Sequence, residues 1–191
     1  MQKAVALILF ILTLPSYPVL FAMIKLTSTG PFIFKQKRMG KGKKIFTIYK
    51  LRTMVNNAEK IKHRYKKLNE ANGPVFKIKN DPRYTSIGKF LTKSAVDEVP
   101  QLINILRGEM AFVGPRPLPV AEAKKIPKKY DARFSVLPGL TSSWVIEGGH
   151  KLAFDQWMRL DCNYIRNKSL ATDLLIIFKT IALILNHLAD Y

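Results

Sequence analysis

Twenty-one consecutive residues near the N-terminus, Ala4 through Ile24, carry no charge, and Pro15 and Pro18 interrupt the second half of the run. A segment of that length and composition belongs in a bilayer, in a protein core or in a leader. A cleaved leader needs a small-residue cleavage site after the apolar run, and Met23-Ile24-Lys25-Leu26 offers none. A straight crossing helix has the right length, but a proline inside a helix removes a hydrogen bond and clashes with the preceding turn. The remaining form is a broken helix that enters one leaflet, turns at Leu14-Pro15 and returns. Positive residues mark the cytosolic side. Lys3 precedes the run, and Lys25, Lys35, Lys37, Arg38, Lys41, Lys43 and Lys44 follow it. Both ends are therefore expected on the same side. The arms Ala4–Leu14 and Pro18–Lys25 would reach about 16 Å and about 11 Å, half a hydrocarbon core or less. The expectation is a re-entrant anchor over residues 1–26, with the membrane break at Pro15 and Pro18; a kinked crossing helix is the alternative.

The rest of the 191-residue chain suits one small domain, residues 27–191. Its partners must be acidic, because 32 Lys and Arg stand against 13 Asp and Glu, a net charge of +19. Nucleic acid, an anionic lipid surface and a phosphate-rich substrate all satisfy that balance. No nucleic-acid recognition motif is present, and the uncharged run argues against such a partner. Cys162 is the single cysteine, so no internal disulfide forms.

Residues 27–34 read as a turn entering a strand, Ile45–Tyr49 as its partner, and 39–43 as the hairpin turn between them. Residues 55–70 have Ala58, Ile61, Tyr65 and Leu68 at helical spacing. Ser94 to Gly108 reads as a helix starting near Asp97, with Val99, Leu102, Ile103 and Leu106 as its apolar stripe. Leu170 to Leu188 reads as a second apolar helix, in the core or at the membrane surface. The expected fold is mixed α/β and mainly helical. It comprises the re-entrant helix, a small cytosolic catalytic domain with a short β-hairpin, and interfacial helices.

Asp97-Glu98 places two carboxylates at a helix start. Acidic caps are common there. Alternatively, one carboxylate attacks phosphorus while the other holds a metal. An anionic nucleophile attacking a diphosphate needs cations nearby, and Lys50, Arg52, Lys93, Arg107 and Arg116 are candidates. Adjacent carboxylates suit Mg²⁺, a hard ion that prefers oxygen ligands. Gly114-Pro115-Arg116-Pro117 fixes one guanidinium between stiff prolines, as a phosphate grip or as a surface turn. His63, His150 and His187 show no metal spacing, and there is no P-loop or dinucleotide fingerprint.

Taken in order, these pieces resemble the monotopic phosphoglycosyl transferases, also called bacterial sugar transferases, over nearly the whole chain. The matching pieces are Gly30-Pro31 with residues 34–38, Tyr49-Lys50-Leu51-Arg52-Thr53-Met54, Asp81-Pro82-Arg83-Tyr84-Thr85 and Gly88-Lys89-Phe90-Leu91. Asp97-Glu98-Val99-Pro100-Gln101-Leu102-Ile103-Asn104 and Gly108-Glu109-Met110 through Pro117 follow. Pro138-Gly139-Leu140-Thr141, Asp161-Cys162-Asn163-Tyr164-Ile165 and Asp173 complete the series.

The resemblance implies a Mg²⁺-dependent enzyme at the cytosolic face of a bacterial inner membrane. It would move a phosphosugar from a nucleotide sugar, UDP-linked in the family, to polyprenyl (undecaprenyl) phosphate, the first membrane step of glycoconjugate assembly. Asp97 would be the nucleophile and Glu98 the metal ligand. Lys50, Arg52, Lys93, Arg116, Asp161 and Asp173 would bind substrate and its phosphates. It also implies a re-entrant helix broken near a Ser-Pro pair. Four positions depart from the family pattern. Leu14 stands where Ser is usual before Pro15, Thr92 where Arg is common, Ser142 where Gly is common, and Gly149 where Arg is often found. They keep open a second reading, a catalytically degenerate, basic, membrane-associated member.

Overall fold

The apolar N-terminal run folds as two helices, α1 (Gln2–Thr13) and α2 (Tyr17–Thr27), joined by a 3₁₀ turn at Leu14–Ser16. The computed structural model of the chain describes residues 1–149 and 152–189, with side chains to residue 186 in the last helix. Both prolines occupy first-turn positions, where a missing N–H is tolerated. The carbonyls freed at the break find local donors. Tyr17 N–H donates to Leu14, the Thr13 hydroxyl to Phe10 (2.8 Å) and the Ser16 hydroxyl to Thr13 (2.7 Å). Hydroxyls at 13 and 16 thus flank the break where residue 14 supplies none.

Strand β1 (Ile33–Met39) pairs antiparallel with β2 (Ile45–Leu51), from Ile33 opposite Leu51 to Met39 opposite Ile45. The hairpin expected from alternation is present, and its second strand runs two residues past Tyr49, through Lys50. The 55–70 helix is only partly so: α3 covers Ala58–Ile61, and Lys62–Leu68 continues as 3₁₀ turns with Leu68 exposed.

After α4 (Gly88–Lys93) the chain takes a left-handed step at Ala95, φ 56°. A 3₁₀ segment Val96–Gln101 then leads into α5 (Leu102–Leu106). Pro100, inside the anticipated helix, has no N–H to give, and the tight turns start before Asp97 rather than at it. Asp97 therefore sits inside the first turn and is not the cap. The stripe also shifts, because a 3₁₀ entry rotates the faces: Ile105 is buried, at 1% exposure, where Ile103 was expected.

Strand β3 (Ala111–Val113) lies parallel to β4 (Gly139–Thr141), a pairing with no counterpart in the sequence reading. Between them are α6 (Val120–Ala123) and 3₁₀ turns over Lys128–Phe134. Beyond them come α7 (Ser143–Ile146), α8 (Phe154–Arg166) and α9 (Leu170–Ala189).

Each half of the N-terminal segment packs on the domain. Ala6 of α1 is fully buried against Phe46, Ile48, Leu102, Ile105 and Met110. Phe112 N–H donates to the Gln2 side chain at 3.3 Å. Ile24 of α2 is buried with Leu51 and Leu91. The opposite side of the segment leaves Ile8, Ile11, Leu12, Leu14 and Val19 exposed. Taken end to end, Gln2–Thr27 is long and apolar enough to cross a membrane. Helix α9 divides likewise. Ile176 packs with Val113 and Tyr164, while Leu170, Leu174, Phe178, Ile181 and Leu185 form an outward stripe at helical spacing.

Candidate active site

The tight turn at 96–101 brings Asp97 and Glu98 against β2. Lys50, on that strand, lies 2.6 Å from Glu98 Oε1 and 3.5 Å from Asp97 Oδ2. Arg116, held between Pro115 and Pro117, reaches the same Glu98 oxygen at 3.1 Å. The two carboxylates experience opposite fields. Burial alone would raise the carboxyl of Glu98, but Lys50 and Arg116, by charge and hydrogen bond, overcome it and hold the group at about 2. Asp97 is 4% exposed, and burial pushes its carboxyl up, against Lys50 and with the help of neighbouring Glu98. Its Oδ1 is buried with no hydrogen-bond partner. A buried acceptor left unpaired is costly and calls for an explanation, a catalytic role or a bound ion among them.

Arg116 is fixed from three sides. Its guanidinium lies 5.7 Å from the ring centroid of Trp144, which stacks on Trp157 at 4.4 Å. Its carbonyl accepts a 2.9 Å hydrogen bond from Arg133 Nη2. Arg133 is in turn paired with Asp161 Oδ2 at 2.9 and 3.0 Å, both side chains nearly fully buried. Burial pushes the Asp161 carboxyl up to about 6 against the pull of Arg133. Asp161 thus supports the loop of Arg116 through Oδ2, while its Oδ1 is buried without a hydrogen-bond partner.

The other expected residues are dispersed. Arg52 is buried, and its guanidinium donates to the carbonyls of Ser28 (2.6 Å), Thr29 (2.8 Å) and Ile24 (3.4 Å). Asp173, in the first turn of α9, accepts from the Tyr164 hydroxyl at 2.7 Å. Lys93 closes α4 with its side chain exposed. Arg107 donates to the Tyr49 hydroxyl at 2.7 Å. Of the cations anticipated from sequence, Lys50 and Arg116 are the pair brought onto the dyad.

Two further cations belong to this field. Burial, with Arg116 next, lowers Arg38 to about 10, and its Nη1 donates to the Pro117 carbonyl at 3.0 Å. Burial, then Arg116 and Lys50, lowers Lys77. Arg38 lies inside the matched 34–38 stretch, which could have flagged it. Lys77 and Arg133 stand in stretches without pattern. Asp81 and Arg83 form a buried bidentate pair at 2.6 and 2.9 Å, beside an open pocket of about 430 Å³ lined by Asn80, Asp81, Tyr84, Thr85, Ser86 and Lys89. That pocket is not lined by Asp97 or Glu98.

Of the departures, Thr92 lies on α4, Ser142 is buried at the start of α7, and Gly149 adopts φ 55°, where an added Cβ would stand 4.0 Å from Trp144. His63 is exposed and bonded to the Lys60 carbonyl. His150 and the side chain of His187 lie outside the described residues. Among the described residues no group of three or more His, Cys, Asp or Glu could enclose a metal ion. The dyad itself suits Mg²⁺, which commonly takes one or two carboxylates and completes its shell with substrate phosphates and water. The anionic Glu98 is such a carboxylate, beside the Asp97 oxygen that has no partner.

Residues 1–187 match the model of a family described as bacterial sugar transferase. The chain is 41% identical over 157 residues to the galactosyl transferase CpsE of Streptococcus agalactiae serotype III, covering 82% of this chain and 35% of that protein. It is 35% identical over 194 residues to the undecaprenyl-phosphate galactose phosphotransferase of Salmonella typhimurium, covering 96% and 40%. Against the exopolysaccharide production protein ExoY of Rhizobium meliloti it is 34% identical over 185 residues, covering 95% and 80%. The chain thus spans little more than a third of the first two proteins and most of the third. A match over this extent shows that the chain belongs to the bacterial sugar transferase family.

Proposed function

We propose that the protein transfers a phosphosugar from a nucleotide diphosphosugar, UDP-linked, to undecaprenyl phosphate through a covalent intermediate on Asp97. The observation that carries this reading is the dyad: a buried carboxylate with one oxygen unpaired, next to a second carboxylate pinned by Lys50 and Arg116. The relatives' names supply the acceptor and the phosphosugar, among them undecaprenyl-phosphate galactose and glucose phosphotransferases.

In the first step Asp97 Oδ1 attacks the phosphorus bonded to the sugar. A carboxyl O–P bond forms, the diphosphate P–O bond breaks, and its electron pair leaves with the nucleoside monophosphate. In the second step an oxygen of the polyprenyl phosphate attacks that phosphorus, and the Asp97 carboxylate leaves. The products are polyprenyl diphosphosugar and regenerated enzyme. Arg116 and Lys50 neutralise the phosphoryl oxygens as charge develops. Their contacts to Glu98 keep them aimed before substrate arrives. Glu98 would hold Mg²⁺, which supplies further neutralisation on the diphosphate when bound.

The membrane arrangement belongs to the same proposal. The segment 1–26 is re-entrant and both its ends lie on the cytosolic face. The break at Pro15 and Pro18, the separate docking of α1 and α2, and the flanking lysines support it. The outward stripe of α9 rests among the headgroups, at the level where a soluble donor meets a lipid acceptor. Anionic lipid would add about 1 kcal/mol for each nearby Lys or Arg.

The test is a release assay with a panel of UDP-sugars and undecaprenyl phosphate, reading UMP. The wild-type protein releases UMP with at least one donor, and Asp97→Asn lowers the rate at least about 10³-fold. Undiminished release by that variant removes Asp97 from the nucleophile's role.

A further inference from the structure

Arg52 is 4% exposed, yet among the described residues it has no acidic partner. An isolated buried guanidinium is expensive unless something else supplies negative potential. Here carbonyls supply it. The last turn of α2 carries the negative end of the helix dipole, and its Ile24 carbonyl also accepts from Ser28 N–H and the Thr27 hydroxyl, each at 3.2 Å. Arg52 bonds to Ile24 within the final turn and to Ser28 and Thr29 just beyond it. Ser28 is extended, φ −163°, so the chain leaves the helix at the point the arginine grips. Gly30 makes room for the grip. A side chain there would stand 2.3 Å from Arg52 Nη1, at a φ of 121° that only glycine adopts readily.

The other end of Arg52 is equally fixed. Its N–H donates to the Phe32 carbonyl at 3.0 Å, extending the β1–β2 ladder. Leu51, between Lys50 and Arg52, is buried with Ile24 and Leu91 at 1% exposure or less. Those three side chains join the membrane segment, the strand that carries Lys50, and α4, which ends four residues before Asp97.

We propose that Arg52 is a positioning residue that locks the membrane segment to the strand carrying Lys50, and so sets the height of the dyad relative to the lipid phosphate. Resting on the function proposed above, this assigns Arg52 to the lipid half of the reaction and not to a phosphate of the donor. A phosphate ligand would act in the first half-reaction. A clamp leaves that step intact and impairs delivery of a bilayer-bound acceptor.

The experiment uses the full chain in lipid nanodiscs and two variants. Arg52→Ala removes the clamp; Gly30→Ala keeps the arginine and displaces it. Three quantities are read: the burst of nucleoside monophosphate without acceptor, transfer to undecaprenyl phosphate in the same bilayer, and hydrogen exchange of the amides of residues 28, 29, 30 and 32. Both variants are expected to keep the burst within about threefold, to lose transfer at least about tenfold, and to exchange faster at those amides. Arg52→Lys, which keeps the charge but not the fork, should fall between. A burst that falls in step with transfer, with exchange unchanged, overturns the clamp in favour of a donor-phosphate contact. Unchanged exchange and unchanged rates overturn it as well. If the wild-type chain gives no burst with any donor, the function proposed above has failed. The exchange measurement then still decides the clamp, supporting it if protection is lost in both variants and overturning it if protection stays.

Discussion

Asp97 and Glu98 are neighbours of like charge, and the fold separates their roles by giving their contacts unequally. Glu98 receives both cations on one oxygen and stays anionic to about 2, while Asp97 keeps an unpaired oxygen. Behind Arg116 the same economy recurs, with Asp161 and Arg133 buried together to hold one carbonyl. Asp161 has a folded value raised from 3.8 to about 6. Its contribution to stability is therefore fully present below the unfolded value and is lost as pH rises through 6, on the order of 3 kcal/mol. Activity should respond in the opposite sense. As pH falls through 6 the carboxylate takes a proton, Arg133 loses its partner, and the support of Arg116 slackens. The expected pH–rate profile has an acid limb near 6 that Asp161→Asn flattens. That variant leaves the Arg133 guanidinium without a counter-charge, as protonation does, so its rate at neutral pH should resemble that of the wild-type protein below pH 6. Charge type and motif spacing single out Asp97, Glu98, Lys50 and Arg116 in the sequence, and the structure brings these four together. The sequence could not show where a guanidinium points. Arg52 went to a helix end and Asp161 to an arginine twenty-eight residues before it, in a stretch without pattern, since both outcomes depend on tertiary packing.

At the level of elements, the hairpin was legible from bulky alternation around a charged glycine turn. The turn that carries Asp97 and Glu98 was legible only as a helix. Its 3₁₀ start depends on the left-handed step at Ala95, which no composition announces. The β3–β4 pair was hidden for a different reason: three-residue strands far apart in sequence have no periodicity to read. What makes that pair possible is a backbone contact between two glycines. A Cβ on Gly139 would stand 2.1 Å from the Gly114 nitrogen, and one on Gly114 would meet the Leu137 carbonyl at 2.4 Å. Gly114 opens the Pro115-Arg116-Pro117 segment, so the contact also places Arg116. Gly139→Ala should cost at least about 2 kcal/mol of stability by overpacking and should lower transfer through displaced Arg116. Chemical unfolding and steady-state rates on the same preparation check both; an alanine variant with wild-type stability would contradict the packing argument.

For the whole molecule, the segment 1–26 and α9 give the protein an apolar side, and 32 Lys and Arg give it a strongly basic balance. The length and the prolines of the segment were plain in the sequence; its two separate dockings were not, because they depend on small contacts at Ala6 and Ile24. In a re-entrant arrangement both ends of the segment face the cytosol. A cysteine at position 2, in a Cys162→Ser background, should then resist membrane-impermeant maleimide added outside intact cells and react after permeabilisation. Labelling from outside would mean that the segment crosses. The basic side would keep a polyanionic donor close, and the apolar side would keep Asp97 within reach of a lipid phosphate. The central claim is that the sugar phosphate rests on Asp97 between the two partners. The most direct measurement incubates the protein with its nucleotide sugar and no acceptor, quenches it, and maps the mass of the adduct by peptide sequencing. A single phosphosugar is expected on the peptide containing Asp97, discharged on adding undecaprenyl phosphate. An adduct on another side chain, or full transfer to lipid with no adduct at any time, would contradict it.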